Sequence, residues 1–235
     1  MIYSICDFYV EYTPRYPRLT ARSEKYLVKN QGVTPDFSFE VTEEDIDAHI
    51  KKYPVDRDLA EYVVAGIKFY EEIISRGAFI LHSAALGVDG NGFVFTGPCG
   101  AGKSTHASLW RKYFGSKVIS INDDKPVIKI ENDTAFICGT PFSGKHDINA
   151  NVKVPLCGIA ILHQSPENRI ERTMPVNAIP VLLEQTLRPK DMRKMSELFT
   201  MLDETLMKVP VYDFYCNISF EAVELSYRTM KGELS

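Results

Sequence analysis

The densest chemical signal in this chain lies in eight consecutive residues, Gly97-Pro98-Cys99-Gly100-Ala101-Gly102-Lys103-Ser104. They satisfy the pattern G-x-x-x-x-G-K-[ST]. Glycines let a backbone approach a ligand closely and adopt positive φ, so that successive N–H groups can cradle a phosphate chain. A helix that starts behind such a loop adds the positive end of its dipole. The Lys103 ammonium would meet β and γ oxygens of a nucleoside triphosphate, and the Ser104 hydroxyl would ligate Mg²⁺. Thr105 completes the candidate nucleotide-binding run, Gly97 to Thr105. With glycine near 7% of residues, chance produces such a string in roughly one chain of this length per hundred.

A carboxylate must also hold Mg²⁺, and Asp123-Asp124 offers two. Either could bind the metal, directly or through water; Asp123 is taken for that role beside Ser104. The other, Asp124, would align an acceptor hydroxyl and take its proton. A solvated Asn-Asp-Asp turn after a strand is the bland alternative. Catalytic roles thus fall on Asp124, Asp123 and Lys103. Weaker candidates are Lys145, His146 and Asp147 in the segment from Gly139, which would suit a lid or acceptor-binding loop. Arg169, Arg172 and Arg188 could each supply transition-state charge, although surface solvation is the usual fate of a single arginine.

The elements that would position these groups are readable from periodicity. Phe93 to Thr96 reads as the strand before the loop, and Lys103 to Phe114 as the helix after it, as the motif demands. Ala78 to Leu81 reads as a strand joined to Phe93–Thr96 by a hairpin at Asp89-Gly90-Asn91-Gly92. Val118 to Ile121 delivers the Asp pair. Further strands are expected over Pro126–Ile130, Ala135–Cys138, Leu156–Leu162 and Val211–Tyr215. Helices are expected from Thr42 to about Lys52, Asp58–Arg76, Ala178–Thr186, Asp191–Met207 and Phe220–Met230. Residues 1 to about 39 suggest short strands and turns. The pattern predicts an α/β fold without strict β-α alternation, divided into an N-terminal α+β lobe over 1–77 and a core over 78–235.

Composition narrows the classes. The chain has 235 residues, 45% hydrophobic and 25% charged, with a formal net charge of −4. That suits a globular protein and gives no field that would attract nucleic acid or an anionic membrane. No 18-residue apolar run would span a bilayer, and the first residues lack the pattern of a signal peptide. The cysteines at 6, 99, 138, 157 and 216 are odd in number and widely spaced, which predicts reduced thiols in a cytoplasmic protein rather than a disulfide framework or zinc site.

Taken together, these pieces resemble the HPr kinase/phosphorylase and phosphoenolpyruvate carboxykinase-like P-loop kinases, and more closely their short stand-alone serine-kinase-type members. The resemblance is densest from Leu81 to Asp124, where His82, Gly90-Asn91-Gly92, the loop from Gly97 and the Asp pair follow one another in the family's order. It implies a phosphoenolpyruvate carboxykinase-like P-loop kinase core with a mixed sheet, ATP and Mg²⁺ as cofactors, and a serine acceptor, free or in a protein or peptide. It also implies that His82 lies beside Asp124 and tunes it or shares its proton; a core histidine bonded to backbone is the alternative. The family's enzymes are often oligomeric, so a homo-oligomer is an option. The chain departs from the pattern at Cys99 and Thr105. It also lacks the HPr kinase signature after the Asp pair, having a Gly139-Thr140-Pro141 segment like that of the small stand-alone kinases. A non-catalytic ATP/ADP-binding regulator and a small-metabolite kinase with another acceptor are the competing readings.

Overall fold

The computed structural model describes residues 1–30 and 32–234. The chain runs through β1 (Ile2–Ile5), β2 (Phe8–Glu11), α1 (Pro17–Ser23), β3 (Phe37–Ser38), α2 (Glu43–Lys52) and α3 (Arg57–Ile74). There follow β4 (Ala78–Ile80), β5 (Ser83–Val88), β6 (Asn91–Thr96), α4 (Lys103–Phe114), β7 (Val118–Asn122), β8 (Val127–Glu131) and β9 (Thr134–Cys138). The last elements are β10 (Lys153–Gln164), β11 (Arg169–Arg172), α5 (Pro175–Glu184), α6 (Met192–Lys208), β12 (Val211–Cys216) and α7 (Phe220–Met230). The fold is mixed α/β.

Helix starts follow local chemistry. Thr42 and Asp45 form a reciprocal capping box at α2, each side chain accepting the other's backbone N–H. Asp56, Asp191 and Ser219 cap α3, α6 and α7 through the backbone N–H groups of Leu59, Lys194 and Ala222. Each such cap contributes about 1 kcal/mol.

The large sheet runs in the order β4-β8-β9-β10-β6-β5-β7, with β12 on β10 and β11 on β12. β6, β10 and β12 are parallel, whereas β5 is antiparallel to both β6 and β7. The hairpin partner of β6 is therefore β5, not the expected Ala78–Leu81 strand. β4 instead pairs with β8. The segment Ser83–Val88 is buried along its whole length and rich in small residues, so it shows neither alternation nor the β-branched content that marks a strand. The short helix α1 and the charged edge strand β11 are also absent from the sequence-based expectations.

A separate sheet, β1-β2-β3, covers the N-terminal part. Its apolar cluster, including Ile5, Val10, Tyr26 and Phe69, continues into Ala78, Ile80, Val127 and Phe142 of the main sheet and its following loop. Cys6 and Cys138 are joined as a disulfide, with Cα atoms 5.4 Å apart. This corrects the expectation of five reduced thiols; Cys99, Cys157 and Cys216 are free. The separation of 132 positions conceals the proximity of the two partners in the sequence. Among the described residues, no helix is long and apolar enough to cross a membrane.

Candidate active site

Strand register assembles the site. Ser83 opposes Thr96, and Ala85 opposes Asn122, so β6 and β7 both end beside the start of β5. Gly97 follows the first of these ends, Asp123 the second, and His82 directly precedes β5. Groups outside the carboxyl ends of strands are common ligand positions in α/β sheets. Backbone bonds fasten this corner: Ser83 N donates to Asp124 O at 3.0 Å, His82 N to Gln185 O at 2.7 Å, and Thr96 Oγ1 to His82 O at 3.0 Å.

The loop Gly97–Gly102 is neither strand nor helix. Gly97, Gly100 and Gly102 have φ of 138°, 84° and 104°, a region open to glycine and costly for other residues. A Cβ at Gly97 would also crowd Ala101 Cβ at 3.2 Å and Leu162 O at 3.3 Å. α4 begins at Lys103, so its free N–H groups and positive dipole end lie at the loop. Lys103 Nζ donates to Gly97 O at 2.7 Å and Pro98 O at 3.2 Å, lying across the loop. Ser104 and Thr105 are exposed on the first turn. A hollow of about 330 Å³ is lined by His82, Cys99, Gly100 and Gly102 to Thr105. The structure thus brings His82 to the loop.

His82 Nε2 lies 3.3 Å from Asp124 Oδ1, and Lys125 Nζ donates to Asp124 Oδ2 at 2.7 Å. Both Asp124 oxygens therefore face basic groups. Burial lowers the His82 pKa below its usual value; the Asp124 charge opposes this, and Lys103 and Lys125 reinforce it. Burial likewise lowers the Lys103 pKa, opposed by the charges of Cys99 and Asp124.

Asp123 differs from its neighbour. Burial raises its pKa; the hydrogen bond from Gly144 N–H opposes the shift, and the Asp124 charge adds to it. That hydrogen bond is 2.6 Å long and engages Oδ1. Two adjacent carboxylates thus sit in unlike settings, one facing cations and one held by a backbone amide.

Sequence reasoning missed Asn122. It is buried, and its Oδ1 accepts from Asp124 N at 2.9 Å and Lys125 N at 2.7 Å. Its Nδ2 donates to Thr140 O at 3.1 Å. One amide thereby shapes the Asp123-Asp124 turn and ties it to the Gly139–Asp147 loop; its place in the Asn-Asp-Asp run was the signal available. Arg22 was missed as well. It donates to Tyr62 Oη at 2.7 Å, Ser143 O at 2.8 Å and Gly144 O at 2.9 Å. Its position in α1, far along the chain from the loop, left no sequence signal.

Other candidates lie elsewhere or remain free. Lys145 and His146 are exposed. Asp147 accepts from Ser143 Oγ at 3.0 Å and Asn149 Nδ2 at 2.8 Å, which braces the loop internally. Arg169 and Arg172 stack on Tyr215 and Tyr212 of β12, and Arg188 is exposed beyond α5. None of the three contacts the His82–Asp124 pair.

No protein-family model matches the chain, and no curated protein matches it. Among solved structures, the chain is similar to the Hpr(Ser) kinase/phosphatase from Coxiella burnetii, at 13% identity and a TM-score of 0.35, over 66% of this chain and 95% of that one.

Proposed function

We propose that this protein is a P-loop phosphotransferase that moves the γ-phosphoryl group of Mg·ATP to an acceptor hydroxyl, on a phosphoenolpyruvate carboxykinase-like kinase core. Serine, free or within a protein or peptide, is the acceptor that the sequence resemblance favours, and a nucleotide donor suits a cytoplasmic enzyme. The observation that carries the reading is the shared corner of the sheet, where a positive-φ glycine loop and a histidine–carboxylate pair meet.

In this reading the backbone N–H groups of residues 97–105, Pro98 excepted, hold the phosphate chain, and Lys103 swings from its loop carbonyls to the β and γ oxygens. Ser104 and Asp123 would hold Mg²⁺. The donor set fits: both are hard oxygen ligands, and Asp123 keeps Oδ2 free while Oδ1 is anchored by Gly144. No cluster of three or more His, Cys, Asp or Glu residues forms a protein cage among the described residues, and Mg²⁺ shared with phosphates needs none. The ion supplies charge neutralisation on the phosphate oxygens. Asp124 accepts the proton of the acceptor hydroxyl, whose oxygen bonds to the γ phosphorus as the bond to the bridging β–γ oxygen breaks and ADP leaves. Neutral His82, against Asp124 Oδ1, orients that carboxylate and can share the proton.

The test is Mg²⁺-dependent ATP turnover with free serine, a small phosphocarrier protein and a peptide as acceptors, read by mass spectrometry of the phosphorylated species. Lys103→Ala and Asp124→Asn are each expected to lower transfer by about 100-fold or more while the fold survives. Wild-type turnover in either variant overturns the mechanism. Nucleotide binding with transfer to no acceptor favours a regulatory binding protein.

A further inference from the structure

A small cavity, of about 90 Å³, shares Lys125 with the His82–Asp124 corner. α3 forms one wall, through Val63, Gly66 and Ile67. Phe142, in the loop after β9, and Leu187, in the segment after α5, form others. Two ties set the cavity against the reacting groups. Lys125 lines it and donates to Asp124 Oδ2 at 2.7 Å. The segment that carries Leu187 also holds His82, whose N–H donates to Gln185 O at 2.7 Å. No residue of the loop Gly97–Thr105 lines the cavity, so it is separate from the surface that would take the phosphates.

The polar side chains of the lining are already engaged. Tyr62 Oη accepts from Arg22 at 2.7 Å and donates to Ser143 O at 2.9 Å. Tyr70 Oη donates to Lys125 O at 3.2 Å. The Lys125 ammonium, the one charged group in the lining, is paired with Asp124. What remains is aliphatic and aromatic carbon. An occupant therefore meets no open hydrogen-bond partner and no unpaired charge, and burial there favours an apolar group. Size narrows the choice further. Sites for whole small molecules run to about 300 Å³ or more, and an apolar cavity of about 150 Å³ holds benzene. A space of about 90 Å³ suits one aliphatic side chain and not an entire acceptor.

The helix wall is shaped at a cost. Gly66 sits in the middle of α3, where glycine is about 1 kcal/mol less favourable than alanine. A Cβ there would stand 3.2 Å from Phe142 Cδ1, so glycine admits the ring and adds no bulk to the cavity. Ile67, its neighbour, is 37% exposed, a large apolar side chain left in part to solvent. Free serine has nothing to place against these groups. A serine within a polypeptide does. Successive Cα atoms stand about 3.8 Å apart, so a side chain one or two positions from a hydroxyl at Asp124 reaches the cavity beside Lys125.

We propose that this cavity binds an aliphatic side chain one or two residues from the acceptor hydroxyl, so that the acceptor is a polypeptide segment and not free serine. The proposal rests on the phosphotransferase reading above and names the acceptor class of the same site.

Steady-state transfer from Mg·ATP by the full chain tests it, with free serine, a pentapeptide of central serine among glycines, and four versions that carry one leucine at each flanking position in turn. At least one leucine peptide should show a kcat/KM ~10-fold or more above the all-glycine peptide, as burial of one leucine allows. Aspartate at the same position should abolish the gain. Val63→Phe fills the cavity from α3, and Leu187→Phe fills it from the segment after α5. Each should cancel the leucine gain and leave the rate on the all-glycine peptide unchanged; thermal melts verify that the variants fold, and either one suffices. A leucine gain that survives the filling overturns the proposal. If free serine and all peptides are phosphorylated alike, the phosphotransferase stands and the acceptor cavity falls. If no acceptor, water included, receives the phosphoryl group, both fall.

Discussion

Arg22 and Asp123 grip the same residue from opposite sides. The Arg22 guanidinium donates to the Gly144 carbonyl at 2.9 Å, and the Gly144 N–H donates to Asp123 Oδ1 at 2.6 Å. A side chain of the N-terminal segment, itself buried, thereby sets a loop that orients a carboxylate assigned to metal. Gly144 has little room there, because a Cβ would stand 3.0 Å from Asp123 Oδ2.

Removing the guanidinium should therefore be felt at the metal and not only in the fold. Arg22→Met is expected to lower phosphoryl transfer by about tenfold and to raise the Mg²⁺ concentration giving half the maximal rate. Arg22→Lys keeps a charge but lacks the fork that reaches two carbonyls, so it should recover only part of the loss. Initial rates across a Mg²⁺ series, alongside thermal melts, separate the two effects. An unchanged Mg²⁺ requirement would break the link between Arg22 and Asp123.

The pH profile should report His82. Burial and the neighbouring lysines favour its neutral form, so protonation needs a pH below the ordinary 6.5. The rate is expected to hold steady from pH 8 to 6.5 and to fall only further into acid. His82→Gln should remove that acid limb and lower the plateau. A limb centred above pH 6.5 in the wild type would contradict a neutral His82.

His106 links stability to pH. Its folded pKa is near 3 while the unfolded imidazole titrates near 6.5. Between those values the unfolded chain binds a proton that the folded chain refuses, so stability rises with pH. The contribution is whole above pH 6.5 and is lost as pH falls toward 3. From pH 6.5 to 4.5 the wild type should lose ~2 kcal/mol more than His106→Gln, measured by urea unfolding at both values. Parallel losses would refute this.

Gly139 is held by space and not by φ. A Cβ there would lie 1.8 Å from Ala150 O and 2.7 Å from Ile121 O, both backbone atoms that cannot swing away. Gly139→Ala is expected to destabilise the fold by ~3 kcal/mol or more. It should also disturb Asp123, since Ala150 N donates to Ile121 O and Asp123 N to Ile148 O in the same crossing. Denaturation midpoints and Mg·ATP titration check both parts. A variant of wild-type stability would show that the crossing relaxes.

By itself the sequence determined the local pieces. Glycine spacing before Lys103 announced a positive-φ loop, and apolar periodicity located α3, α4, α6 and α7, because these follow from backbone sterics and side-chain period acting over a few residues. The order His82, loop and Asp pair was also legible along the chain. Tertiary structure alone decided which strand lies between them. β5 carries small residues buried on both faces, so its pairing with β6 and β7 has no period to read, yet that register brings His82 to Asp124. It also decided that Arg22 reaches Gly144 and that Cys6 meets Cys138, contacts separated by 122 and 132 residues. Such pairs form only after a sheet and a core have been built around them, and no short stretch of residues encodes that proximity.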